Sequence, residues 1–106
     1  MRLHHLALTV LVLTGGLSGT ALAQTASHEE IVDACLAASN MPEPICTCVA
    51  DKLMEEEISD TQRLWYYTSL TDQEAAEALV SEMSPVEAAQ IGMFSATAPA
   101  QCAAGG

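Results

Sequence analysis

From Ser27 onward, apolar and polar positions recur with the period of an α-helix. Ile31, Val32, Cys35 and Leu36 share one side of a first helix, and Ile45, Cys46, Val49 and Leu53 share one side of a second. Two such stripes close in sequence are expected to face each other. A weaker stripe, Ala88, Ile91 and Gly92 with Ser95, suits close approach of a last helix to its neighbours. β-Branched and aromatic residues never alternate with polar ones over a useful length, and Ala, Glu, Gln, Leu and Met dominate, so no strand is expected.

The helix starts are written in the caps. Ser27 with Glu30, Ser59 with Gln62, Thr71 with Glu74 and Ser84 with Glu87 each pair a hydroxyl with an acid or amide three residues later. In such a capping box the hydroxyl accepts from the third helical amide while that residue's side chain accepts from the cap amide, satisfying donors that a helix start leaves bare. Pro44 and Pro85 suit first-turn positions, where φ is already set and no amide is needed. The pattern predicts five short helices over residues 28–39, 44–57, 60–69, 72–83 and 85–97, with Pro99 as the final stop. The fold class is therefore all-α, a small bundle of about five short helices, stapled by two disulfides as argued below.

The first residues have a different character. Arg2 lies in a short polar start, residues 6–13 are apolar except for Thr9, and residues 15–20 are small and helix-breaking before Ala21-Leu22-Ala23. That order is the order of a secretory signal, so residues 1–23 read as a cleaved signal peptide and residues 24–106 as one domain. An uncleaved anchor is disfavoured, because a spanning helix wants about 20 apolar residues without a glycine-rich break. No cysteine stands at the cut, so lipid attachment there is not expected.

Charge narrows the partners. The formal net charge is -11, and it becomes one unit more negative when Arg2 leaves with the signal, because only Lys52 and Arg63 then oppose the 14 acidic residues. Such a surface repels nucleic-acid backbones and anionic lipid, so neither nucleic acid nor membrane is expected as a partner after signal cleavage. A solvated helical surface explains the acidity more simply than a dedicated site for a basic partner.

All four cysteines, Cys35, Cys46, Cys48 and Cys102, follow the predicted cut. An even number in a short exported chain reads as a disulfide framework of an oxidising compartment, and a domain of this size needs such staples to supplement a small core. If the first two helices form a hairpin centred near Pro42, Cys35 lies beside Cys48, and Cys46, about 200 degrees round the helix from it, is left for Cys102. The pairing Cys35 with Cys46 and Cys48 with Cys102 is the alternative, and sequence alone does not choose among the three possible pairings. The bridge to Cys102 would fasten a tail that otherwise has little reason for order. Cys46-Thr47-Cys48 could instead be a redox pair, but Glu43 and Asp51 nearby raise a thiol pKa, opposing the effect of a place in a first helical turn. A Cys-x-Cys spacing does not suit a zinc site, and no metal or other cofactor is expected.

The remaining candidates are few. His28, the one histidine after the signal, lies near an expected mobile N-terminus, and no catalytic triad or phosphate loop can be assembled, so the protein is not expected to be an enzyme. Glu55, Glu56 and Glu57 fan across about 200 degrees and do not converge on a cation; placed at a helix end they oppose the macrodipole and favour fraying toward Ile58. Trp65, Tyr66 and Tyr67 fan similarly, so a small core cannot take all three. Ordinary packing competes there with a partner-binding patch, since Trp and Tyr carry much interface energy.

The spacing of Cys35, then Cys46-Thr47-Cys48 at a second helix start, then Cys102, resembles a group of small exported proteobacterial proteins. That resemblance implies an envelope location and a compact helical fold, and it brings no catalytic residues with it. The expectation is a periplasmic or secreted, non-enzymatic interaction module of adaptor, inhibitor or immunity type, with a protein partner in the envelope. The alternative is a thiol-disulfide protein using Cys46 and Cys48.

Overall fold

The computed structural model describes residues 25–105, and the signal peptide read from residues 1–23 lies outside them. Five helices and no strand are found among the described residues: α1 His28–Ala38, α2 Glu43–Leu53, α3 Asp60–Thr71, α4 Gln73–Val80 and α5 Pro85–Ala103. The domain is all-α, as the caps and periodicity predict.

Three of the four capping boxes form. Ser27, Ser59 and Ser84 accept from the amides of Glu30, Gln62 and Glu87 at 3.1 Å each, and those three side chains accept in return from the cap amides. The fourth does not form. Thr71 is still inside α3, where its hydroxyl donates to the Tyr67 carbonyl, and Asp72 caps α4 by accepting from the Ala75 amide. A carboxylate next door supplies the cap, so the Thr71 hydroxyl turns back into its own helix.

The two largest departures from the expected boundaries are the ends of α2 and α5, and α4 stops at Val80 rather than 83. α2 ends at Leu53, and residues 54–58 form turns rather than a helix that reaches Glu57. Three consecutive carboxylates oppose the dipole there, and the freed carbonyls are taken by Arg63, whose Nε donates to the Leu53 carbonyl at 2.8 Å and whose Nη2 donates to the Ile58 carbonyl at 3.0 Å. The second correction is α5, which does not stop at Pro99 but runs through it to Ala103. An interior proline costs about 3 kcal/mol through a lost amide and a ring clash. Burial of Ala98 and Cys102 on either side of it, together with the sulfur bridge at Cys102, offsets that cost.

The core is gathered around α2, whose Val49, Ala50 and Leu53 are fully buried with Ile31 of α1, Tyr66 of α3 and Ile91 and Ala98 of α5. α1 packs on α2 and α3, α5 packs on α2 and α3, and α4 packs chiefly on α3. Gly92 was expected to permit close approach, but a Cβ there would meet nothing within 4 Å, so the last helix does not depend on it.

Both disulfides form, with a pairing that corrects the favoured one. Cys35 joins Cys46 and Cys48 joins Cys102, with Cα–Cα distances of 5.7 and 5.9 Å. The error lay in the hairpin's centre. α1 is capped by Ser39 and α2 by Pro42, so the bend is centred between those two residues rather than at Pro42, and Cys35 and Cys46 lie equally far from it. Cys48, on the other side of α2, is then turned toward α5. α2 is thus bridged by sulfur on two sides, and the tail is fastened through Cys48 rather than Cys46.

Gln62 has a second task besides its capping box. It is 1% exposed, and its amide nitrogen donates to the Glu87 carbonyl at 3.0 Å and to Gln90 Oε1 at 3.1 Å. Together with the bond that Oε1 accepts from the Ser59 amide at 2.7 Å, this leaves the buried amide well satisfied and locks the start of α3 to the start of α5.

Candidate functional site

The three neighbouring aromatics are separated by the helix that carries them. Tyr66 is 4% exposed and meets Phe94 of α5 edge to face, with ring centroids 5.8 Å apart. It has no surface to offer a partner, which corrects its place in the aromatic patch. Trp65 and Tyr67 are half-buried against the core edge.

Burial pushes the Tyr66 phenol above its ordinary pKa of 10.0, because the ionised form is poorly solvated. A raised pKa in the folded state means that the contribution is fully present below pH 10 and is lost as pH rises through the folded value. Stability is therefore expected to fall above pH 10, and chemical denaturation of the wild type and Tyr66→Phe at pH 9 and 11 checks it. The phenylalanine variant is expected to lose less stability between the two pH values; an identical loss refutes the assignment.

Tyr67 lines a concave site. With Leu64 and Thr68 of α3, Ala75, Ala78 and Leu79 of α4, and Thr25 and Glu30 from the start of the domain, it lines a chamber of about 410 Å³ that opens to solvent as a groove. The lining is mostly apolar, and the volume lies within the range of binding pockets. The geometry follows from local choices. The turn at Asp72 folds α4 back along α3, and Leu64, Tyr67 and Thr68 recur at three- and four-residue steps on the facing side. Thr68 spends its hydroxyl on the Leu64 and Trp65 carbonyls, so it presents little polarity to the chamber. Among the described residues, Glu30 is the one charged side chain in the lining, and its Oε1 is fixed by the Ser27 amide at 2.8 Å.

The sequence-predicted sites are otherwise scattered. Cys46 and Cys48 belong to different bridges, and no free cysteine is present among the described residues. Cys35 and Cys46 are sealed in the core, where an attacking thiolate has no access. His28 opens α1 rather than lying in a loose end, and its Nε2 shares a hydrogen bond of 2.8 Å with Asp51 Oδ1 of α2. Glu55, Glu56 and Glu57 are exposed in the α2–α3 connection. Among the described residues no three His, Cys, Asp or Glu side chains are grouped to hold a metal ion. No described helix is long and apolar enough to cross a membrane. The two bridges are the covalent mark of an oxidising environment.

The sequence singles out Tyr67 without revealing the chamber that it lines. Its walls come from three separate segments, and only the helical spacing of Leu64, Tyr67 and Thr68 pointed to a shared face. Comparison with protein-family models, curated proteins and solved structures finds no match to this chain.

Proposed function

We propose that the protein is a non-enzymatic interaction module of the periplasm or the extracellular space, and that it takes a segment of a partner protein into the chamber between α3 and α4. The observation that carries this reading is the apolar chamber walled by Tyr67, Leu64 and Leu79. Tyrosine is among the side chains that contribute most to binding when a partner covers them. The remaining features are consistent with it: a signal-like start, two disulfides, and an acidic surface that repels nucleic acid and anionic lipid.

The test is an affinity capture from envelope extract that compares the wild type with Tyr67→Ala and Ala78→Trp. Ala78 is exposed on α4, so a tryptophan there obstructs the chamber without entering the core. A partner held by the wild type is expected to fall by about tenfold or more on each variant, the effect of losing one strong interface side chain. Identical partner lists on all three baits refute the proposal.

A further inference from the structure

Resting on the reading of the chamber as a partner site, we infer that its occupant is an amphipathic helix of a partner protein, with apolar side chains in the chamber and lysine or arginine on its flanks. Apolar anchors follow from the lining, which is mostly apolar and includes Leu64, Tyr67, Ala75 and Leu79. The positive flanks follow from charge. Among the described residues, Glu30 is the only charged one of the lining; the cap fixes its Oε1 and leaves the second carboxylate oxygen outside that bond.

More negative charge surrounds it. Glu29 is exposed beside Glu30, and Glu74 is exposed on α4 one turn before Ala78. Among the described residues, no lysine, arginine or histidine lines the chamber. Of the two cations left after signal removal, Lys52 lies on α2 and Arg63 is held by the Leu53 and Ile58 carbonyls and by Asp60. An anionic occupant would thus meet repulsion from the α1 and α4 sides, whereas a cationic one gains in both encounter rate and fit. A helix suits this layout better than a small cation does. The acidic groups lie on two separate elements, the start of α1 and α4, and a groove walled by two helices takes anchors at helical spacing.

Three synthetic 16-residue helical peptides with the same leucine face and flanks of lysine, glutamine or glutamate provide the test, read by fluorescence anisotropy on the full exported protein. The lysine peptide is expected to bind about tenfold more tightly than the glutamine peptide at low salt, the glutamate peptide more weakly still, and the differences to shrink near 1 M salt. Glu30→Gln keeps the capping box, since glutamine serves at that position as well, and is expected to reduce the lysine advantage about threefold. Ala78→Trp is expected to weaken all three.

Equal binding of the lysine and glutamate peptides overturns the charge selection and leaves the chamber as an interaction site. Binding that Ala78→Trp does not change overturns the chamber reading as well. Dodecyltrimethylammonium that displaces the lysine peptide while binding as tightly assigns the chamber to a small ligand and overturns the inference, as does the absence of binding by any of the three peptides at millimolar concentration.

Discussion

Reduction of the two disulfides is expected to abolish the cooperative thermal transition of this protein. The Cys35–Cys46 bridge closes a loop of sequence separation 11 and the Cys48–Cys102 bridge one of 54. In the chain-entropy description these contribute about 3 and about 4 kcal/mol by restricting the unfolded chain. A small domain has a net stability of about 5 to 15 kcal/mol, so losing both, about 7 kcal/mol, removes from about half to all of the margin. The bridge to Cys102 also holds the last turn of α5 beyond Pro99, where the helix has already lost an amide hydrogen bond. Replacing Cys48 and Cys102 together by serine is therefore expected to lower the melting temperature by roughly 15 to 30 °C. Circular dichroism on heating, with and without reductant, measures both effects. A transition unmoved by reductant, or four thiols titrating in the native protein, refutes the account.

Gln62→Glu is expected to be the most damaging single substitution of a polar side chain. It keeps the acceptor for the Ser59 amide but replaces two donated bonds, to the Glu87 carbonyl and to Gln90, by a carboxylate facing two acceptors. Lost hydrogen bonds to buried partners cost about 1 to 3 kcal/mol, and an uncompensated buried charge adds to that, so a loss of about 3 to 5 kcal/mol is expected. The burial that excludes water from Gln62 favours the neutral acid, so stability of this variant should fall as pH rises above the carboxylate range. Gln62→Ala, which leaves partners unpaired without adding charge, should cost less. Urea titrations at pH 4 and pH 7 separate the cases; equal stability of Gln62→Glu and wild type at pH 7 contradicts the role given to this amide.

What could be read from the chain, and what could not, divides along the range of the interactions. Helix starts at Ser27, Ser59 and Ser84 were legible because a cap is settled within three residues. The failure at Thr71 was local as well, a competition that Asp72 won. The disulfide pairing depended on the centre of one bend, and a shift of that centre redirected both bridges. Pro99 reads as a stop in isolation, because the burial of Ala98 and the partner of Cys102 lie elsewhere in the chain. The aromatic triplet was half legible: helical geometry required its members to part, and only the packing of Phe94 decided that Tyr66 turned inward. The chamber was least legible of all, since Glu30 is a capping residue by its local signature and gains its second meaning only when α4 folds against α3.

Sulfur holds α1, α2 and α5 to one another, whereas α4 has no covalent tie, packs chiefly on α3 and buries only Ala76 among its residues. The α3 wall of the chamber carries no bridge either, but buried Tyr66 and Gln62 anchor it to the cross-linked body, whereas the α4 wall buries one small side chain. Such a jaw can widen or narrow at little energetic cost, which gives the domain tolerance for anchors of differing bulk while its cross-linked body keeps one shape.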